Sequence, residues 1–464
     1  MKEVKKRPNI LLMTYDQQRY DCVSMSGIYP VSTPNLERIA NNGVFFENAY
    51  TPIPVCAPAR QAMMTGRRPE AHGGLWNPHI VFPVNMIPEG TYSWTRQLHD
   101  SGYSTAFIGT WEADDKHSPD YYGYSHFVSR GQINAEIAEK YPSVTYKNGY
   151  FGEANPVPLE DSYTHIAARH VIEKIDEYSA LDEPWFIHMD NPEPHLPCRP
   201  SAPFDTMYDP DEVPVWGAFG ETFEGKPYIQ HQQLINWELE ERGWDQWKHT
   251  VANYYGIISQ YDNAVGRILD KLEQSGEIEN TIIIYTTDHG DMCGSHRLID
   301  KHYNLYQDIC HIPLAIRWDG HIAVQRYTGF AHQCLDVPPT LMAMAGEAVP
   351  EGIFQGEDLS ELLCKGIPTD GRDFAVSTYN GQQFGLFCER MICDGKYKYV
   401  WNLTDTDEFY DLSADPYELT NIIKNPETAE TLAAMRIKLH DELKRCGDPI
   451  IGWTKNQLLL GRKL

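Results

Sequence analysis

The chain has 464 residues and a formal net charge of −26, with 39 basic against 65 acidic side chains. A hydrophobic content of 42 % supports a large core and excludes disordered and collagen-like chains, and no run of about 18 apolar residues marks a transmembrane helix. So acidic a chain also argues against nucleic acid and anionic lipid as partners; an anionic substrate would have to be attracted locally.

The start, Met1 to Arg7, is basic, but the apolar stretch behind it is too short for a signal peptide. Ten cysteines without paired spacing read as reduced thiols, and the two observations together predict a cytoplasmic protein. Ile10 to Thr14 is a short apolar run that predicts a buried strand ending at Asp16. Thr33 is an N-cap candidate before Pro34, and Gly43 closes that short helix. A helix over Ser93–His99 and a strand over Tyr103–Ile108 follow. Next come a helix over Tyr163–Tyr178, a strand over Trp185–Met189, a helix from Thr250 to Gln274 and a strand over Thr281–Thr286. Residues 190–248 read as a long excursion on the active-site side, and 346–371 as a linker. Beyond it, Phe384–Phe387 and Met391–Cys393 precede Asp394-Gly395 and Tyr397–Trp401, a hairpin pattern. A final amphipathic helix covers Thr428–Leu443. Strands alternating with helices predict an α/β fold: a mostly parallel, doubly wound sheet flanked by helices over residues 1–365. Residues 366–464 form a smaller C-terminal α+β subdomain. Ligands of such sheets sit at the carboxyl ends of strands, where Asp16 and Asp288 both fall. Two carboxylates there suit a hard divalent cation.

The most specific local pattern is Cys56-Ala57-Pro58-Ala59-Arg60, leading through Thr65 to Gly66. With Pro8-Asn9-Ile10-Leu11 to Asp16, Thr33-Pro34-Asn35-Leu36, Gly43 to Tyr50, Thr287-Asp288-His289-Gly290-Asp291, Lys301, Ile312-Pro313-Leu314 and Glu408 to Asn421, it resembles the type I sulfatases of the alkaline-phosphatase superfamily. The resemblance covers nearly the whole chain.

That resemblance implies that Cys56 is oxidised to formylglycine by a formylglycine-generating enzyme, which reads Pro58 and Arg60. The hydrated aldehyde would attack the ester, and Arg60 would steady the nucleophile and the anion. Asp16, Gln17, Asp288 and His289 would hold one divalent cation, Ca²⁺ first, with Mn²⁺, Mg²⁺ or Zn²⁺ as alternatives because of the imidazole. Lys301 would contact the substrate anion and leaving group, and His195 would donate a proton to the leaving alcohol.

Two segments depart from most sulfatases. Gly109-Thr110-Trp111-Glu112 stands where Gly-Lys-Trp-His is usual, and the opening pair is Asp16-Gln17 rather than Asp-Asp. Phosphonate monoester and phosphodiester hydrolases of the superfamily share these features, and Asn77 resembles a substrate-contacting Asn of that branch. Asn77, Thr110 and Glu112 are therefore the expected substrate-binding residues. Glu112, pointing inward, would repel dianions most. The expected activity is hydrolysis of sulfate esters on a carbohydrate or other small molecule. A phosphonate or phosphodiester hydrolase is the alternative, and a non-catalytic binding scaffold with an unmodified Cys56 is a third reading. Homo-oligomerisation is left open.

Overall fold

The computed structural model describes residues 7–78, 87–323, 325–367, 371–383 and 385–462. The basic start before Arg7, Phe384 in the run before the expected hairpin, and 368–370 at the expected linker end lie outside the described residues. Eight strands form the large sheet: β1 (Asn9–Asp16), β2 (Gly43–Tyr50), β3 (Ser104–Gly109), β4 (His126–Ser129), β5 (Trp185–Pro194), β6 (Thr281–Thr287), β7 (Leu314–Arg317) and β8 (Gln325–His332). Their order is β4-β3-β5-β1-β6-β7-β2-β8, and every neighbouring pair is parallel except those that β7 makes with β6 and β2. β1 is buried along its whole length and shows no polar alternation, as a central strand covered on both faces requires. The Tyr163–Ser179 and Trp244–Ser275 helices pack on each other and against β5.

Four antiparallel strands make the second sheet: β9 (Ala375–Gln382), β10 (Gly385–Cys393), β11 (Tyr397–Asn402) and β12 (Glu408–Asp411), in the order β12-β11-β10-β9. The expected hairpin is present. Asp394 Oδ1 accepts the Lys396 and Tyr397 amides at 3.0 and 2.7 Å, and Gly395 takes φ +87°, a value that favours glycine. Leu432, Met435, Leu439 and Leu443 of the Ala429–Cys446 helix bury one stripe against Val376, Ile392, Tyr399, Trp401 and Phe409.

Two expectations change. Thr33 does not cap the Pro34–Ala40 helix; its hydroxyl accepts the Ser24 amide, and Asp262 accepts the Asn35 and Leu36 amides at 2.9 and 2.8 Å instead. Over its described residues, segment 346–371 is packed rather than a free linker: it holds the Ser360–Lys365 helix with Leu359 and Leu363 buried, and Gln355 accepts the Arg68 amide. The excursion is also tied inward. The buried Lys226 ammonium bonds Glu221, the Tyr306 hydroxyl at 3.0 Å and the Glu418 carbonyl at 2.6 Å. Among the described residues no helix is long and apolar enough to cross a membrane, and all ten cysteines are free thiols.

Candidate active site

Asp16 is the last residue of β1, Asp288 follows β6, and Asp190 lies in β5. β1 runs between β5 and β6, with Thr14 facing Asp190 and Tyr15 facing Thr287, so parallel pairing gathers three carboxylates at one sheet edge. A register shift at Tyr15/Asp16 marks where the strand leaves the ladder.

Cys56 is the first residue of the Cys56–Thr65 helix, preceded by Val55 in an extended conformation. Pro58 sits in the first turn, where its missing N–H costs nothing, and Gly66 ends the helix at φ +62°. The whole helix is buried and packs on the Gln333–Met344 helix. Asn77 caps it from outside: its Oδ1 accepts the Ala57 amide at 2.8 Å. The positive end of the helix dipole therefore faces the site.

One ligand atom each from Asp16, Cys56, Asp288 and His289 lies within 4.8 Å of the others, and all four residues are buried. His289 Nδ1 contacts the Gly290 carbonyl at 2.8 Å, which leaves Nε2 facing Cys56 Sγ at 3.3 Å. Burial and the nearby Lys301 charge push His289 well below the usual imidazole range, so it presents a neutral ring with an aimed lone pair, the form that binds metals. Gln17 is at φ +68°. Its amide reaches Asp288 Oδ1 at 3.2 Å, its Nε2 bonds Asp291 and Asp300, and its Oε1 is buried without a hydrogen-bond partner among the described residues. Two carboxylates, an imidazole and a spare carboxamide oxygen fit a divalent cation.

Arg60, one turn along the helix from Cys56, sits among four carboxylates. Its guanidinium lies 3.0 Å from Asp16, Asp190 and Asp288 and 2.9 Å from Glu112. Burial opposes ionisation of Asp16, but Arg60, His195 and Lys301 hold it well below the usual carboxylate range. Asp288 is driven the other way, by burial and then by the Asp16 charge. Burial, against the pull of Arg60, brings Asp190 up to about 6. Burial and the Asp16 charge also push the Cys56 thiol upward. An unmodified thiol is thus held protonated and is a weak nucleophile.

Lys301 and His195 form a pair at 3.3 Å. His195 Nδ1 points at the Leu196 carbonyl (2.6 Å), so Nε2 accepts from the ammonium. Lys301 also contacts Asp300 Oδ1 at 2.9 Å. Burial alone would lower its pKa, but Asp300, then Cys56 and Asp16, hold it well above the usual lysine range. Thr110 is buried, its amide donates to the Asp190 carbonyl at 2.9 Å, and it lines a cavity with Arg60, Glu112 and Asp190. Glu112 does point inward, but onto Arg60. It shares that guanidinium with Asp16, Asp190 and Asp288, so its charge is only partly offset and the repulsion expected from sequence is reduced rather than removed.

Asp16, Gln17, Cys56, Arg60, Glu112, Asp288 and His289 are thus joined by direct contacts, Asn77 caps the helix that begins at Cys56 through the Ala57 amide, and Lys301 and His195 approach as a second pair. Asp190 and Asp300 were missed. Their signals were the continuation of a buried strand into an acid and an acid directly before Lys301.

The sulfatase family model matches residues 8–347, and the model of the N-sulphoglucosamine sulphohydrolase C-terminal region matches residues 294–445. An arylsulfatase of Clostridium perfringens (strain 13 / Type A) is 28 % identical, over 98 % of each chain. An N-acetylglucosamine-6-O-sulfatase of Bacteroides thetaiotaomicron is 26 % identical, over 96 % of this chain and 88 % of its own length. Among solved structures, the phosphonate monoester hydrolase of Agrobacterium radiobacter superposes with a TM-score of 0.79 at 25 % identity, covering 95 % of each chain.

Proposed function

The chain belongs to the sulfatase family and is a sulfuric ester hydrolase, and from that premise we propose that it cleaves sulfate esters of carbohydrates with a nucleophile made from Cys56. The observation that carries this is the position of Cys56: buried at a helix start, within 4.8 Å of Asp16, Asp288 and His289. A thiol held protonated there has little nucleophilic use, which supports its conversion to formylglycine by a dedicated maturation enzyme. The hydrated aldehyde supplies a hydroxyl that attacks sulfur and a second hydroxyl whose deprotonation releases sulfate and restores the aldehyde.

Asp16, Asp288, His289 and the Gln17 carboxamide would hold the cation, Ca²⁺ by its preference for oxygen donors, and a bound cation polarises the ester oxygens. Arg60 orients the carboxylates and faces the anion. Asn77 fixes the helix end that carries the nucleophile. Lys301 stays an ammonium and, hydrogen-bonded to His195, forms the donor pair from which the leaving alkoxide takes its proton. Thr110 and Glu112 replace a cation and an imidazole, so the site favours singly charged esters over phosphate monoesters, which carry nearly two charges at pH 7. Curated relatives include an N-acetylglucosamine-6-O-sulfatase and a Delta 4,5-hexuronate-2-O-sulfatase, which supports a sugar as the alcohol.

The test has two parts. Mass spectrometry of the Cys56 peptide should show sulfur and two hydrogens exchanged for one oxygen. Then kcat/KM is compared for aryl sulfate, sulfated sugars, phosphonate monoester, phosphate diester and phosphate monoester. Sulfated sugars should lead. Efficient phosphonate or diester cleavage without sulfatase activity would establish the alternative reading favoured by Asp16-Gln17 and Thr110/Glu112.

A further inference from the structure

Beside His195 of the Lys301–His195 pair lies a second cavity of about 390 Å³. It opens between the Arg130–Lys140 helix and the segment Pro192–Arg199, which carries on from the last residues of β5. His195 is part of its wall, and so are Arg130, Asn134, Tyr141, Tyr146 and Arg199. Its size falls in the range of about 300–1,000 Å³ typical of small-ligand sites.

The charges in this wall are unusual for the chain. Among the described residues neither Arg130 nor Arg199 makes an ion pair or a side-chain hydrogen bond, although acids outnumber bases by 65 to 39. The Arg199 guanidinium lies 3.9 Å from the centre of the Tyr146 ring, which holds it in place by a cation–π contact, and its Nε is buried without a partner. Tyr146 is in turn fixed by a 2.8 Å bond from its hydroxyl to Asn155 Oδ1. The acid of the wall is Glu193. Thr164 donates to it, and burial brings its pKa up to about 7, so at neutral pH it only partly offsets the arginines. One guanidinium held over a tyrosine ring and a second, exposed one at the cavity wall suit an anionic, ring-shaped group.

We propose that this cavity is a subsite for the alcohol side of the substrate, and that Arg130 and Arg199 recognise a second anionic substituent on it, a sulfate or a carboxylate. The inference rests on the carbohydrate reading above. It follows from one shared side chain: the leaving oxygen takes its proton at the Lys301–His195 pair, and His195 is also part of the wall of this cavity, which puts the cavity within reach of the rest of the alcohol. It also shows how a chain of net charge −26 could hold a polyanion: at long range the substrate is repelled, whereas two unpaired arginines act at contact.

The experiment compares four substrates of the matured enzyme: a disulfated disaccharide, a monosulfated disaccharide carrying a uronate, a monosulfated neutral disaccharide and nitrophenyl sulfate. The wild type should favour one or both anionic disaccharides over the neutral one by tenfold or more in kcat/KM, and which of them leads identifies sulfate or carboxylate as the recognised group. In R130A/R199A that ratio should fall toward one, mainly through KM, while R130K/R199K keeps part of it. Unchanged circular dichroism would show that the fold survives. Equal handling of neutral and anionic disaccharides by the wild type, or a preference that persists in R130A/R199A, overturns the inference alone. Failure to cleave any sulfated saccharide, with phosphonate ester turnover intact, overturns the carbohydrate reading and the inference with it.

Discussion

The two sheets both bury charge, and they balance it differently. In and around the C-terminal sheet most buried ions close as local pairs, Arg390 with Asp448 at 2.6 Å, Lys398 with Glu418, and Arg372 with Asp336 at 2.8 Å, while burial pushes Glu389, which has no hydrogen-bond partner among the described residues, toward the neutral acid. At the carboxyl edge of the large sheet one guanidinium serves four carboxylates, Asp16, Glu112, Asp190 and Asp288, and a thiol stands among them. Closed pairs fix a structure. An excess of oriented acids creates a local demand for more positive charge, and that demand is what a cation or a reacting centre can answer.

The largest expected effect tests the unbalanced end. Cys56→Ala should lower kcat by about 10⁴-fold or more, as loss of a covalent nucleophile does, with unfolding unchanged in urea. Near-native turnover after purification from a maturing host would break the assignment. At the balanced end, Asp448→Ala leaves the buried Arg390 charge alone and should cost about 3–5 kcal/mol without changing kcat; chemical denaturation and steady-state rates read the two separately. Removal of divalent ions by chelation, followed by Ca²⁺ at 100 times its Kd, should restore about 2.7 kcal/mol of stability. Asp16→Asn/Asp288→Asn should lose that gain, as followed by Tm, and a calcium response that survives the double change would place the ion elsewhere.

The smallest effect concerns groups kept neutral. Burial brings His165 down to about 4, His188 to about 3 and His311 to about 4. The unfolded chain takes up protons near pH 6.5 and the folded chain does not, so this stability is complete above pH 6.5 and is lost as pH falls. Each histidine should cost roughly 2 kcal/mol between pH 6.5 and 5. Asp190 and Glu193, raised by burial, gain stability over the same window, so the reading is a difference: between pH 6.5 and 5 His188→Gln should lose about 2 kcal/mol less than the wild type in urea unfolding. Identical profiles would mean that the His188 ring is already charged in the native protein.

The site residues that the sequence shows best are those set by strand ends and short spacing. Asp16 and Asp288 terminate apolar runs, and Cys56 and Arg60 lie one helical turn apart. Contacts between distant segments are another matter. Asp190 was hidden because β5 continues five residues beyond the apolar run Trp185–Met189, to Pro194. The partner of Glu112 depends on where the β3 end lies over Arg60, and no local pattern encodes that. β7 is four residues long and antiparallel, too short for a periodicity to show. The Gln333–Met344 helix carries Pro338 and Pro339 inside it, and propensity argues against a helix there; burial of its apolar residues outweighs that cost.

Lys226 has a consequence for how such a protein can be inherited. Its ammonium, drawn from the long excursion of the first part of the chain, closes on a backbone carbonyl of the C-terminal part, Glu418, and on Tyr306 and Glu221. A gene fusion that exchanged the last hundred residues for a foreign segment would leave this cation its Glu221 and Tyr306 partners but remove the carbonyl that completes its shell, at a penalty of about 1–3 kcal/mol. The two parts are therefore poor currency for recombination. Their sequences must drift together, and diversity among proteins built this way should accumulate in the walls of the substrate cavities, where a side chain can change without leaving a buried charge alone.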